Sequence, residues 1–302
     1  MADDATQQPG SAADEGAGPK GVAIHIGLNL VDPEHYGGWD GRLAGCENDA
    51  NDMLALSTSK GFDASTIITA EATAAGVSDA IAAAAETLQA GDILFLTYSG
   101  HGGQVPDTSS DETDQLDETW VLFDREMIDD ELSALYATFR PGVRIVVLSD
   151  SCHSGTVTRE VRYRETYLPH TASIGAAGDA KADQLKTKNM PYDVERRTYM
   201  AHKDLYDGIQ RSLTPAGTKQ RDVAADILLI SGCADNQLSG DGPTNGVFTG
   251  NLLRVWQGGA FEGSYRELYA QLSNLMPASQ SPNYYRIGRV DEAFDRQAPF
   301  SI

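Results

Sequence analysis

Six short apolar runs, separated by stretches of helical spacing, constrain the fold of this chain more than any other feature. The runs are 21–28 (GVAIHIGL), 65–69 (STIIT), 92–98 (DILFLTY), 143–149 (VRIVVLS), 226–231 (DILLIS) and 283–288 (NYYRIG). A strand buried on one face alternates polar and apolar residues, whereas a near-continuous apolar run needs cover on both faces. Helical spacing marks Asp49 to Lys60, Val77 to Leu88, Asp129 to Phe139, Asn245 to Trp256 and Glu262 to Leu275. Alternation of such strands with helices predicts an α/β fold, with a six-stranded, mostly parallel central sheet covered by helices on both faces.

Two segments break this pattern. Residues 1–20 combine Asp, Glu, Gly, Ala and Gln without aromatic or branched aliphatic side chains, which predicts a disordered acidic tail. Thr156 to Asp222 has no clear apolar strand yet carries 12 of the chain's 23 Lys and Arg residues, with one helix expected over Tyr199 to Leu213. Because the apolar pattern resumes afterwards, residues 21–302 read as a single domain: a large half (21–155), a basic insertion (156–222) and a small half (223–302). The 23 basic residues face 44 acidic ones, a formal charge of −21, which argues against nucleic-acid and anionic-membrane partners. Neither a signal peptide nor an apolar stretch of membrane-spanning length is evident, so a cytoplasmic protein is expected. Three widely spaced cysteines (Cys46, Cys152, Cys233) fit neither a disulfide framework nor a zinc site.

Two of the predicted strands run into reactive residues. The third leads into Ser99-Gly-His-Gly-Gly103 and the fourth into Asp150-Ser-Cys-His-Ser-Gly155. In open parallel sheets, ligands bind outside the carboxyl ends of the strands, so His101 and Cys152 are placed where chemistry is expected. A cysteine becomes a nucleophile when its thiolate is favoured, and a nearby histidine can protonate a leaving amine. Taken singly, a strand-end cysteine is usually a core residue and a loop histidine a surface one. His153, adjacent to the cysteine, reads as part of the turn.

With Tyr98-Ser-Gly-His-Gly102, Asp150-Ser-Cys-His-Ser-Gly155, Leu43-Ala-Gly-Cys-Glu-Asn-Asp-Ala50 and Ile230-Ser-Gly-Cys-Ala-Asp-Asn-Gln237, the chain closely resembles the metacaspases, whose bacterial forms are called orthocaspases. The resemblance covers roughly residues 21–290 and implies a caspase-like fold. It implies a cysteine endopeptidase with Cys152 as nucleophile, His101 as catalytic histidine and the backbone N–H of Gly102 as an oxyanion donor beside that of Cys152. It also implies cleavage after Arg or Lys, with Asp49 and Asp150 as pocket carboxylates and Cys46 and Ser99 lining the pocket. Paired carboxylates suit a cationic side chain through charge-assisted contacts, and their mutual repulsion in an empty pocket adds to that preference. Asp49 can alternatively be a first-turn carboxylate stabilised by its helix dipole.

Between Asp107 and Asp130 the chain is rich in carboxylates, which suits calcium. In calcium-dependent relatives the ligands align with Asp117, Asp129 and Asp130, but a fourth aspartate is replaced here by Arg159; Asp129 can instead cap the following helix. No organic cofactor is expected. An enzyme cutting after Arg or Lys can process its own insertion, with Arg159, Arg162, Arg164, Lys186, Lys188 and Arg197 as candidates the sequence does not rank. Expected partners are protein or peptide substrates with exposed Arg or Lys, and a monomer is expected. Two other readings stand: a related cysteine peptidase of legumain-like or clostripain-like specificity, and a non-catalytic calcium-responsive scaffold.

Overall fold

The computed structural model describes residues 18–108, 116–151, 186–213, 223–233, 239–289 and 291–302. All six apolar runs form strands of one sheet: β1 (Gly21–Gly27), β2 (Asp63–Ile68), β3 (Ile93–Ser99), β7 (Arg144–Asp150), β9 (Asp226–Ser231) and β11 (Asn283–Gly288). Their order is β11-β9-β7-β3-β1-β2. Every neighbouring pair is parallel except β9 with β11 at one edge. Alternation along each strand divides its side chains between two layers. Leu94, Leu96 and Tyr98 of β3 share one core with Val77 and Ile81 of α2 (Ala74–Thr87) and Leu132 of α3 (Asp129–Tyr136). Ile93 and Phe95 share the other with Met53 of α1 (Cys46–Ser59), Leu252 of α6 (Val247–Trp256) and Leu272 of α7 (Tyr265–Leu275). The expected sandwich of helices around a mostly parallel sheet is therefore the observed fold.

Helix α2 starts three residues before its predicted position. Its first turn is Ala-Ala-Gly, which carries no large apolar residue to set a period, and Thr73 caps it by accepting the Gly76 N–H at 3.1 Å. Helix α3 starts at Asp129 after Ile128, so Asp129 lies inside the helix rather than at its cap.

Two features were not legible as apolar runs. A small antiparallel sheet of β4 (Gly102–Pro106), β5 (Leu116–Val121) and β6 (Glu126–Ile128) projects from the end of β3. In the insertion, β8 (Lys186–Thr187) pairs antiparallel with β10 (Gly240–Asp241). The single predicted helix there is two, α4 (Tyr192–Ala201) and α5 (Lys203–Leu213), broken at His202. Residues 186–213 are not a solvated strap. Met190 and Val194 pack with Val31, Tyr36 and Val121, and Tyr199 and Tyr206 pack on Val105 and Ile128. A short α8 (Glu292–Asp295) follows β11. No helix among the described residues is long and apolar enough to cross a membrane.

Candidate active site

Parallel registration of β3 with β7 pairs Ser99 directly with Asp150 at the carboxyl end of the sheet. The two reactive loops therefore leave the sheet side by side. His101 follows Ser99 and Gly100, and the Tyr98 hydroxyl donates to its carbonyl at 2.6 Å. The imidazole is buried, with Nε2 2.9 Å from the Gly41 carbonyl and the Trp39 ring centroid 4.8 Å away. A carbonyl only accepts, so Nε2 carries the proton and Nδ1 holds the lone pair in the neutral ring. Among the described residues, Nδ1 makes no hydrogen bond. Burial lowers the His101 pKa to about 4; Lys188 and Lys186 add to that, and the Gly41 and Asn189 backbones oppose it. The ring is neutral at pH 7, the form a base needs. Cys152 lies outside the described residues, immediately after buried Ser151.

Asp49, in the first turn of α1, and Asp150, at the end of β7, face one pocket. Both carboxylates are buried and densely hydrogen-bonded. Asp49 accepts from the Ser99 hydroxyl at 2.6 Å, the Asn245 amide at 3.0 Å and the Gly246 N–H at 3.0 and 3.1 Å. Asp150 accepts from the Ser239 hydroxyl at 2.7 Å, and from the Thr249 N–H at 3.2 Å and hydroxyl at 2.9 Å. Gly246 and Thr249 belong to the start of α6, so that helix's positive end supports both anions. Burial pushes the Asp49 carboxyl up, an effect Lys188 and the Ser99 and Asn245 hydrogen bonds counter without cancelling. Cys46 is fully buried and its thiol is pushed up to about 12 by burial, so it lines the pocket as a neutral group.

The pocket holds a cation from the chain itself. Lys188 Nζ lies 3.1 Å from Asp150, 3.2 Å from Asp49 and 2.9 Å from the Ser99 hydroxyl, and none of its side chain is exposed. Burial alone would lower the ammonium pKa, but the carboxylates of Asp150, Asp49 and Asp241 outweigh it and hold it well above the ordinary lysine value. The backbone around Lys188 is also ordered by the site. Its N–H donates to the Ser239 carbonyl at 2.8 Å, its carbonyl accepts the Gly102 N–H at 3.0 Å, and the Met190 N–H donates to the Gly102 carbonyl at 2.8 Å.

Of the other predicted residues, Lys186 is exposed and donates to the Arg42 carbonyl at 3.0 Å. Arg197 sits on α4, paired with Asp193 at 3.2 Å. Arg159, Arg162 and Arg164 lie outside the described residues. Asp117, Asp129 and Asp130 are all buried, at the start of β5 and in the first turn of α3. Among the described residues, no group of three or more His, Cys, Asp or Glu side chains is arranged to hold a metal ion.

Sequence reading missed the pocket's far wall. A Cβ at Gly246 would collide with the Asp150 carboxylate and the Lys188 ammonium and sit 3.0 Å from the Asp49 carboxylate; the pocket exists because this residue has no side chain. Asn245, Thr249 and Ser239 were missed with it. Asp241 accepts the Ala44 and Gly45 N–H groups at 2.7 and 3.0 Å, fastening the β10 loop to the start of α1. The advance signal was the Ser231-Gly-Cys233 motif, which precedes this wall without marking it.

The caspase-domain family profile matches residues 21–293. The chain is 30% identical over 264 residues to metacaspase-1 of Kluyveromyces lactis, covering 76% of this chain and 56% of that protein. It is 31% identical over 303 residues to metacaspase-1A of Neurospora crassa, covering 89% and 63%. It thus spans about three fifths of the length of these curated relatives. A Geobacter sulfurreducens protein of known crystal structure superposes with a TM-score of 0.79 at 50% identity, covering 94% of this chain and 99% of that one. On its strand order, its paired reactive loops and these likenesses, the chain belongs to the caspase-domain family and is metacaspase-like.

Proposed function

We propose that this chain is a cysteine endopeptidase that cuts after Arg or Lys. The observation that carries this reading is a buried ammonium held between Asp49 and Asp150 beside the His101 imidazole. Two anions already fixed by seven donor contacts from Ser99, Ser239, Asn245, Gly246 and Thr249 need no rearrangement to receive a cation. An acidic side chain in the same position would face two like charges and be rejected.

In this mechanism the Cys152 thiolate attacks the carbonyl carbon following the basic residue. The Gly102 N–H, which donates to the Lys188 carbonyl, stabilises the oxyanion. His101, held by Gly41 through Nε2, uses Nδ1 to take the thiol proton and return it to the leaving amine. Water then hydrolyses the thioester. We further propose processing within residues 156–222, protein or peptide substrates with exposed Arg or Lys, and a monomer. We also propose that calcium, held through Asp117, Asp129 and Asp130, activates the enzyme.

The test is hydrolysis of fluorogenic peptides ending in Arg, Lys, Asp or Asn, with calcium and with chelator, using Cys152→Ala as control. Arg or Lys cleavage that disappears in Cys152→Ala is expected. Cleavage only after Asp or Asn overturns the pocket assignment and favours a legumain-like relative. No cleavage under any condition favours the scaffold reading.

A further inference from the structure

Lys188 is one of several basic residues in a polar insertion, but its surroundings are those of a bound substrate residue. Its side chain fills the acidic pocket, and its backbone is engaged on both sides of the cleft. Upstream, Thr187 and Lys186 add an antiparallel strand to Gly240 and Asp241, the usual way an extended peptide is recognised. The Lys188 N–H continues that ladder to Ser239, and the Lys188 carbonyl receives the Gly102 N–H. Downstream, Asn189 bridges to Gly102, and Met190 anchors in the apolar cluster around Tyr36 and Val121. Side chain, carbonyl and both flanks of Lys188 are thus each held by the pocket carboxylates, Gly102 and β10.

We infer, resting on the peptidase reading above, that the Lys186–Met190 segment is the site's own first substrate and that the Lys188–Asn189 peptide bond is the one presented for cleavage. The step adds the Cys152 sulfur to the Lys188 carbonyl carbon. The C–N bond to Asn189 then breaks, the amine leaving with the proton carried by His101. Water attacks the resulting thioester, releasing a Lys188 carboxylate and regenerating the thiolate, while one of its protons passes to His101 and the other leaves the new carboxyl group for solvent.

Position in the chain gives the cut a further consequence. The new carboxyl end at Lys188 stays joined to Asp150 through residues 151–187, so it competes for the pocket as an intramolecular ligand at an effective concentration on the order of millimolar. Until that end is displaced, the cut enzyme resists external substrates.

The experiment uses the full chain as wild type, Cys152→Ala, Lys188→Arg and Lys188→Gln, incubated with and without calcium. Fragments are identified by intact mass and N-terminal sequencing, and a fluorogenic Arg peptide is assayed in parallel. A new N-terminus at Asn189 is expected in wild type and Lys188→Arg, and none in Cys152→Ala. Lys188→Gln, which leaves the carboxylates no charge to hold, should lose that cut and, with its segment a weaker occupant of the pocket, hydrolyse the Arg peptide with an apparent KM at least tenfold below that of the cut wild type. Arg-peptide cleavage by a wild type that leaves Lys188–Asn189 intact overturns the inference while sparing the peptidase reading. So does cutting of Lys188→Gln at Asn189. An unchanged KM in Lys188→Gln removes the retained-product consequence. Absence of any self-cleavage and of any Arg or Lys peptide hydrolysis defeats the peptidase reading itself.

Discussion

Gly246→Ala isolates the pocket from the rest of the molecule. Gly246 has φ −59° and ψ 154°, which alanine adopts freely, so the substitution introduces no backbone strain. Its N–H still donates to Asp49. What changes is space: the added methyl falls where the ammonium sits between Asp49 and Asp150. A contact between a charged donor and acceptor contributes about 1.5–3 kcal/mol, so losing both carboxylate contacts removes roughly 3–6 kcal/mol from recognition of a basic side chain. At about 1.4 kcal/mol per tenfold, kcat/KM for an Arg peptide should fall about 10²–10⁴-fold, and self-cleavage should fall with it. Gly250, one turn further along α6, is the control: a Cβ there meets only the Asn245 Cβ at an ordinary 3.6 Å. Gly250→Ala should therefore retain activity and gain about 0.5–1 kcal/mol of stability from helix propensity. The assay compares initial rates of Arg-peptide hydrolysis with thermal melts of both variants in a Cys152→Ala background. An unaltered melt with kcat/KM within threefold of wild type in Gly246→Ala refutes the argument that this wall shapes the pocket.

Further outcomes follow from the same geometry. Asp49→Asn and Asp150→Asn should each lower kcat/KM for Arg peptides by about tenfold or more, since each removes one charge-assisted contact; parity with wild type in steady-state kinetics would dismiss that carboxylate from recognition. Glu126 is fully buried, accepts the Thr119 hydroxyl at 2.7 Å, and is pushed up to about 8 by burial. Its folded pKa exceeds its unfolded value, so the stability it contributes is complete below about pH 4.5 and is lost as pH rises through 8. Glu126→Gln should therefore gain stability over wild type progressively across that window, by about 3–5 kcal/mol at pH 8 in denaturant titrations, and a gap that does not vary with pH contradicts the assignment. Cys46, buried with its thiol near 12, should stay unlabelled by iodoacetamide in the native chain at pH 8 while Cys152 reacts; peptide mapping that finds Cys46 modified first would reverse the roles.

The sheet was legible because of where it sits. Strands covered on both faces carry apolar residues at nearly every position, and all six runs appear as strands within a few residues of their predicted bounds. His101 was legible as a residue in a motif at a strand end, whereas Asp49 and Asp150 were expected in one pocket only through the resemblance to metacaspases; in the fold they lie at a helix start and a strand end. The β4–β5–β6 sheet was not, because its strands are short, glycine-rich and acidic, and its burial depends on α3, α4 and α5 packing over it.

What the sequence by itself determined, then, is the α/β layering and the placement of two reactive motifs at strand ends, since each follows from local pattern. Tertiary structure alone decided the rest. Gly246 is recognisable only by what its missing side chain makes room for, between Asp49 and Asp150, which lie about two hundred and about one hundred residues earlier in the chain. Lys188 is indistinguishable in sequence from its basic neighbours, because a lysine in a polar stretch is ordinarily solvated; it becomes singular only when the fold places two carboxylates 3.1 and 3.2 Å from its ammonium. Charge burial is a property of three-dimensional neighbours, and no local pattern along the chain encodes it.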